Sequence, residues 1–194
     1  MGRLVPQSGT ALDIGCGTGT LSLLLSERGL SVTGIDTSLR MIEFARRKAT
    51  AAGAGINFQV DDAGSPTLPP AQFDLVLGRH ILWALPDLSA TLNRWSTLLR
   101  PGGRMVLIEG FLHTGAGLHL QQVENALPET MTRILSENLG ADAGLWGGPV
   151  ADERYVVVAR VTTERWRSSS GGFCIYMPNG NVGTAARPHR WTTE

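Results

Sequence analysis

The sequence predicts an α/β protein: a doubly wound, mostly parallel seven-stranded sheet with its last strand antiparallel and helices on both faces. Two observations support this fold class. Apolar, strand-like runs alternate with segments of helical periodicity along most of the chain, as parallel strands joined by crossover helices require. The last two strand candidates are separated by a connection without a full helix, which indicates an antiparallel pair.

The first five strand candidates are short apolar runs, each followed by turn or capping residues. They are Thr10–Ile14, Ser31–Asp36, Ile56–Val60, Phe73–Leu77 and Arg104–Glu109. Leucines at helical spacing follow the first strand as far as Gly29, a residue typical of the position after a helix. Ser38 is predicted to cap the second helix, which Gly53 ends, and Asp87 is predicted to cap the third. Pro101-Gly102-Gly103 is then expected to break that helix and turn the chain into the fifth strand.

The remaining strand candidates are Glu129–Leu135 and Arg154–Val161, which complete a predicted domain over residues 1–161. Residues 162–194 are rich in Ser, Gly, Pro and Arg and show no sustained periodicity. They predict a poorly ordered C-terminal tail, with an isolated strand at Phe173–Met177 as the alternative.

Composition excludes several classes of function. The 194 residues include 17 Lys and Arg against 17 Asp and Glu, and this zero net charge argues against a nucleic-acid partner. No apolar run reaches the ~20 residues of a membrane span, and the N-terminus lacks the apolar region of a signal peptide. Two cysteines cannot form a disulfide framework, so a reducing, cytoplasmic location is expected. The four histidines lack partners at metal-site spacing, so no metal site is predicted.

The segment Leu12-Asp13-Ile14-Gly15-Cys16-Gly17-Thr18-Gly19 is the most informative part of the chain. An apolar strand ends at alternating glycines and a helix begins at once, which is typical of a loop that binds a nucleotide-like ligand at a helix N-terminus. A dinucleotide site would place glycine at position 20, where this chain has Thr20. Cys16 is interpreted either as a reactive thiol or as a small residue filling a tight turn.

Acidic residues follow the next two strand candidates. Asp36 closes the second strand, where a carboxylate can accept hydrogen bonds from both ribose hydroxyls. Asp62 follows the third strand, where its carboxylate can accept from the adenine amine while the N–H of Ala63 donates to a ring nitrogen. Because ligands bind beyond the carboxyl ends of parallel strands, these groups are expected to meet at one edge of the sheet.

These segments together resemble the class I S-adenosylmethionine (SAM)-dependent methyltransferases, in particular a family of small bacterial methyltransferase domains. The matching segments, from Thr10 to Val161, are LDIGCGTGTLSLLL, the DxSxxM pattern from Asp36 to Met41, FQVDDA, residues 78–87 and LLRPGGRMVLIEG. The resemblance implies a Rossmann-like fold, SAM as cofactor and a small-molecule acceptor. The cofactor-binding residues that it implies are Asp13, Gly15, Cys16, Gly17, Gly19, Asp36, Thr37, Met41, Asp62, Ala63 and Arg79.

The loop after the fourth strand is where methyl donor and acceptor meet in this family. His80 is the candidate general base there; the alternative is that Arg79 or His80 only binds the methionyl end of SAM. Trp83 and His113 are candidates for the acceptor pocket, with core packing and a solvated loop as their respective alternatives. Met41 is expected either on the adenine face or in the helix core.

Family members usually carry helices before the first strand that close over SAM, whereas nine residues precede Thr10. The sequence therefore predicts SAM binding with impaired turnover, unless another chain supplies the lid. The alternative function is a SAM-binding, catalytically weak remnant that acts as a binding or partner protein. An NAD(P)-dependent oxidoreductase is disfavoured by Thr20, by the Asp62-Ala63 pair and by the lack of a Tyr-x-x-x-Lys pattern.

Overall fold

The computed structural model describes residues 4–140, 142 and 150–162, together with the backbone of three short strands between residues 166 and 184. The chain divides into one unit ending at Thr162 and a second running from Thr163 to Glu194. The elements of the first unit are β1 (Gly9–Ile14), α1 (Thr20–Glu27), β2 (Leu30–Asp36), α2 (Leu39–Ala51), β3 (Asn57–Val60), β4 (Phe73–Arg79), α3 (Leu88–Leu98), β5 (Leu99–Phe111), α4 (Leu120–Asn125), β6 (Met131–Asn138) and β7 (Glu153–Val161).

The first unit contains a seven-stranded sheet with the strand order β3-β2-β1-β4-β5-β7-β6. Strands β1 to β5 pair in parallel, and β7 runs antiparallel to both of its neighbours. The predicted fold class is confirmed. Because the strand order reverses direction beside β1, a crevice is expected beyond the carboxyl ends of β1 and β4, where doubly wound folds bind ligands.

Alternating residues of the central strands are buried on opposite faces of the sheet. Leu12 of β1 packs in the cluster that contains Trp95 of α3 and Val123 of α4, whereas its neighbour Ala11 packs in the cluster that contains Leu25 of α1. All five side chains are nearly or fully buried. Since burying one large apolar side chain contributes about 1.5–3 kcal/mol, these two layers hold the carboxyl edge of the sheet in place.

The predicted helix caps are confirmed. The Ser38 hydroxyl accepts a hydrogen bond from the N–H of Met41 at 3.3 Å, and the Asp87 carboxylate accepts one from the N–H of Ala90 at 2.9 Å. Each satisfies an N–H that has no partner within the helix, an effect worth about 1 kcal/mol. Gly53 follows α2 with a φ of 67°, a left-handed conformation that favours glycine.

The structure corrects the prediction for Pro101-Gly102-Gly103. Helix α3 ends at Leu98 and the strand begins at once, so β5 includes these residues instead of starting after them. The ladder with β4 pairs Phe73 with Leu99 and resumes at Leu75 with Arg104, which leaves the intervening residues of β5 as a bulge. The physical reason is that proline and glycine weaken a strand without ending it when the extra residues are accommodated by a bulge.

Three short strands are described in the second unit. They are β8 (Trp166–Arg167), β9 (Phe173–Tyr176) and β10 (Val182–Thr184), paired antiparallel in the order β10-β9-β8. The strand predicted at Phe173–Met177 is therefore present through Tyr176, but it is paired on both sides and not isolated; Met177 lies outside the described residues. The expectation of a poorly ordered tail stays a prediction. None of the helices in the described part of the chain has the length and apolar character that crossing a bilayer requires.

Candidate functional site

The glycine loop between β1 and α1 uses its glycines in two ways. Gly15, Gly17 and Gly19 all adopt left-handed backbone conformations, with φ of 67°, 54° and 73°. A Cβ on Gly15 would lie 3.0 Å from Ile81, and one on Gly19 would lie 2.9 Å from Phe58, so both glycines also permit close packing. A Cβ on Gly17 would meet nothing within 4 Å. The loop therefore presents its backbone at Gly17 to open space.

Asp36, at the end of β2, joins this loop to the start of α2. One carboxylate oxygen accepts a hydrogen bond from the N–H of Gly17 at 2.9 Å, and the other accepts one from the N–H of Ser38 at 2.9 Å. A carboxylate offers about four acceptor positions, so each oxygen keeps capacity for a further donor. Thr37 lies between Asp36 and Ser38, which this hydrogen bond joins. The structure thus places Asp36 beside the open face of the glycine loop.

The segment after β3 forms a second wall of the crevice. Asp62 is exposed and accepts a hydrogen bond from the N–H of Gly64 at 2.9 Å. Ala63 is buried, and its carbonyl oxygen accepts a hydrogen bond from the indole N–H of Trp95 at 2.8 Å. Among the described residues, none accepts a hydrogen bond from the N–H of Ala63. Within the described residues this N–H therefore has no acceptor, while the carbonyl of the same residue is held by Trp95.

Large apolar side chains are exposed around the same edge of the sheet. Leu39 and Met41 in the first turn of α2 are 57% and 40% exposed, and Val60 at the end of β3 is 50% exposed. The buried side chains of α2 are Ile42, Ala45 and Ala49, so Met41 does not lie in the helix core. Exposed apolar groups that gather beside a polar loop are typical of a ligand pocket.

Asp13 occupies a different position from the other predicted cofactor-binding residues. It is 1% exposed, and the hydroxyl of Ser22 in α1 donates a hydrogen bond to its carboxylate at 2.6 Å. Burial raises the pKa of Asp13 from 3.8 to about 6. The hydrogen bonds from Ser22 and the nearby charge of Arg79 lower the pKa, but their effect is smaller than that of burial. The structure thus buries this carboxyl group between β1 and α1 instead of exposing it in the crevice, contrary to its prediction as a cofactor-binding residue.

The burial of Asp13 predicts a pH-dependent stability. Because the folded protein binds this proton more tightly than the unfolded chain, the free energy of unfolding falls as the pH rises from about 4 to above 6. A shift of about two units corresponds to about 3 kcal/mol. Asp13→Asn keeps an acceptor for Ser22 and removes the charge, so urea titrations should show it more stable than the parent at pH 8 by about 1–3 kcal/mol. At pH 4 the two proteins should be equally stable; a gap that is the same at both pH values would contradict this.

Cys16 is buried in a cluster with Ile42 and Phe58. Burial raises the pKa of its thiol to about 12, and the negative charges of Asp13 and Asp36 contribute. A thiol with so high a pKa is protonated at neutral pH and is a poor nucleophile. This favours the interpretation of Cys16 as a small residue filling a tight turn over that of a reactive thiol.

Arg79 is the last residue of β4, and the loop after it carries His80 and Trp83. His80 has a φ of 53°, an unusual left-handed conformation for a residue other than glycine, and its side chain is 41% exposed. Burial lowers the pKa of His80, and the positive charges of Arg79 and Arg154 lower it further. Trp83 is 53% exposed, so it is not a core residue, and its indole N–H donates to the carbonyl oxygen of His80 at 3.1 Å.

Glu109, near the end of β5, is a site residue that the sequence analysis did not identify. Its side chain is fully buried, and one carboxylate oxygen accepts hydrogen bonds from the N–H groups of Ile81 and Leu82, both at 2.9 Å. Burial raises its pKa, although the two hydrogen bonds lower it. The signal was present in the sequence, since Glu109, like Asp36, is an acidic residue at the carboxyl end of an apolar strand.

His113 lies on the loop after β5 and is paired with Asp152, the residue before β7. Its ring Nδ1 is 3.1 Å from the carboxylate of Asp152, and its side chain is 80% exposed. His119 makes a similar pair with Glu153 at 2.7 Å. No hydrogen bond or ion pair in the described part of the chain joins His113 to His80 or Trp83. In the same part of the chain, no three His, Cys, Asp or Glu side chains are grouped so that they could hold a metal ion.

Comparisons with known proteins show that this chain is similar to methyltransferases. A family model described as a methyltransferase domain matches residues 11–103. The ubiquinone biosynthesis O-methyltransferase of Coxiella burnetii is 32% identical over 124 residues, which cover 61% of this chain and 52% of that protein. The aklanonic acid methyltransferase of a Streptomyces species is 39% identical over 108 residues, covering 54% of this chain and 49% of that protein.

A solved SAM-dependent methyltransferase from Mesorhizobium loti shares the fold, with a TM-score of 0.67 at 23% identity over 81% of this chain and 94% of that one. The chain spans about half the length of the two curated relatives. The family match covers β1 through the bulge of β5, which includes the glycine loop, Asp36 and the loops after β3 and β4. The sequence matches support a class I SAM-dependent methyltransferase, and the shared fold agrees with them.

Proposed function

We propose that this chain binds SAM at the carboxyl edge of its sheet and transfers the methyl group to a small-molecule acceptor. The observation that carries the proposal is the position of Asp36. Its carboxylate is fixed by the N–H groups of Gly17 and Ser38 and keeps acceptor capacity beside the open face of the glycine loop. A carboxylate held in this way suits the two adjacent hydroxyls of a ribose.

The neighbouring groups fit the rest of an adenosine. Ala63 offers an N–H with no acceptor among the described residues, and Asp62 is exposed beside it, which together suit the ring nitrogen and the amine of adenine. The exposed thioether of Met41 suits one face of the ring. The glycine loop, with Gly15, Cys16, Gly17 and Gly19, and the adjacent Thr37 and Arg79 would hold the sugar and the methionyl group.

SAM, when bound, supplies an electrophilic methyl group on a sulfonium, and the protein's contribution is to align the acceptor and exclude water. His80 is proposed as the general base. Because its pKa is lowered, its imidazole is neutral at physiological pH and can accept a proton from a hydroxyl or amine. The exposed indole of Trp83 is proposed as a wall of the acceptor pocket, with His113 at its border.

The names of the two curated relatives support a small-molecule acceptor. One is an O-methyltransferase of ubiquinone biosynthesis and the other is a methyltransferase of aklanonic acid. They do not favour the alternative of a catalytically weak binding protein. The zero net charge is consistent with an acceptor that is not a nucleic acid.

Calorimetric titration with SAM, S-adenosylhomocysteine and NAD in parallel tests the cofactor assignment. We expect both SAM and its demethylated product to bind and NAD to bind at least about tenfold more weakly, since the loop has Thr20 where a dinucleotide site needs glycine. Equal or tighter binding of NAD would refute the proposal. His80→Gln separates the two roles proposed for that residue: a base contributes to turnover and leaves SAM affinity unchanged, whereas a residue that binds the methionyl group contributes to affinity.

A further inference from the structure

We propose that Glu109 is a positioning residue whose two carboxylate oxygens have separate roles. Oε1 anchors the loop after β4, and Oε2 orients the imidazole of His80. This inference rests on the proposed function in one respect, namely that His80 acts as the base. The geometry on which it stands involves only this chain's own side chains and does not depend on a bound ligand.

The role of Oε1 follows from its hydrogen bonds. It accepts from two consecutive N–H groups, those of Ile81 and Leu82, at 2.9 Å each. These residues begin the short helical turn Leu82–Ala84, whose first N–H groups have no partner within the turn. A buried carboxylate on β5 therefore fixes the loop that directly follows His80. That tether accounts for a left-handed His80, because such a conformation persists where the surroundings determine it.

The role of Oε2 follows from its lack of a hydrogen-bond donor within the described residues. It is fully buried and has no hydrogen-bond partner in the described part of the chain, an arrangement that costs free energy unless a donor comes within reach. The ring Nδ1 of His80 lies 4.0 Å from Oε2. This separation is longer than a hydrogen bond, and such catalytic contacts are often long before the ligands are bound.

The other polar group facing Glu109 already has a partner. Tyr155 on β7 lies directly opposite Glu109 in the strand register, but its hydroxyl donates to the carbonyl oxygen of Leu118 at 2.8 Å. The negative charge of Glu109 is one cause of the raised pKa of Tyr155, so this phenol remains protonated. Arg79 and Arg154 are the positive groups that act on His80, and both lower its pKa. Glu109 is the group placed to oppose them.

With Nδ1–H donated to Oε2, the lone pair of Nε2 is free to face the acceptor. In the transfer step the acceptor's O–H or N–H gives its proton to Nε2, and the acceptor's electron pair forms the bond to the methyl carbon. The electrons of the broken C–S bond return to sulfur, which becomes a neutral thioether. The imidazolium that results is stabilised by the carboxylate of Glu109.

Nitrogen-15 NMR of the histidine side chains tests the inference, with the His80 signals identified by their loss in His80→Gln. In the parent protein saturated with S-adenosylhomocysteine, we expect neutral His80 to carry its proton on Nδ1. Glu109→Gln keeps an oxygen to accept from Ile81 and Leu82 but replaces Oε2 with a donor. We expect it to retain S-adenosylhomocysteine binding, to lose the Nδ1–H tautomer and to lower the pKa of His80.

Glu153→Gln is the matched control, because it makes the same carboxylate-to-amide change beside His119 and should shift the signals of His119 alone. A His80 tautomer and pKa that are the same in Glu109→Gln and the parent would overturn the proposal. A parent protein with the proton of His80 on Nε2 would overturn it as well, and this measurement stands even where the variant fails to fold. If the parent protein does not bind S-adenosylhomocysteine, the proposed function fails, while the titration of the free protein still tests the Glu109–His80 pair.

Discussion

Asp36→Ala is expected to weaken SAM binding by about 2–4 kcal/mol, because it removes two hydrogen bonds to a charged acceptor. This loss corresponds to a decrease in affinity of about 30- to 900-fold, which calorimetry or equilibrium dialysis can measure. The structure adds a second reason for a large effect. The same carboxylate holds the N–H groups of Gly17 and Ser38, so the variant also loosens the glycine loop against the start of α2.

Asp62→Ala is the matched comparison for Asp36→Ala. Asp62 is exposed, accepts a hydrogen bond only from Gly64 within the described residues, and leaves the N–H of Ala63 in place when it is removed. The loss of affinity should therefore be smaller than for Asp36→Ala. A folded Asp36→Ala protein that binds SAM like the parent would show that the ribose is held elsewhere.

Trp95→Ala is expected to lower the free energy of unfolding by about 3–5 kcal/mol, the range typical of a deleted core aromatic. Trp95 has no exposed surface, and its ring packs so closely on β4 that a Cβ on Gly78 would lie 2.8 Å from it. Its N–H holds the carbonyl oxygen of Ala63, so affinity for S-adenosylhomocysteine should fall with stability. Urea titrations with and without that ligand measure both effects.

Trp95→Phe separates packing from hydrogen bonding. It keeps most of the apolar volume but leaves the carbonyl oxygen of Ala63 without its partner, which costs about 1–3 kcal/mol. A decrease in the free energy of unfolding below about 1 kcal/mol for Trp95→Ala would contradict the role of Trp95 as a core residue that also holds Ala63.

The parts of the fold that the sequence predicts are those encoded by neighbouring residues. Ser38 and Asp87 cap their helices through N–H groups three residues ahead, and an apolar run such as Ser31–Asp36 is recognisable as a strand without knowledge of its partners. Asp36 could be singled out for the same reason, because a carboxylate that directly follows a buried strand must lie at the carboxyl edge of the sheet.

The parts that sequence reasoning missed depend on contacts between distant residues. The two N–H groups held by Glu109 lie 27 and 28 positions away, and no local pattern specifies that its second oxygen faces His80. The resemblance implies that Asp13 binds the cofactor, but the packing of α1 on the sheet turns its carboxyl group toward Ser22. In each case the partner is chosen by tertiary packing, which periodicity and spacing do not encode.

The anchoring of the loop after β4 has a consequence for how the acceptor preference of this protein can change by mutation. Glu109 holds the loop through main-chain N–H groups at positions 81 and 82, and every residue except proline has such a group. The exposed side chains on either side, His80 and Trp83, are not part of that attachment. With Trp83 as the proposed wall of the acceptor pocket, mutations at this position are expected to alter which acceptor is chosen while the backbone beneath stays in place, so that new substrates can be explored at little cost to stability.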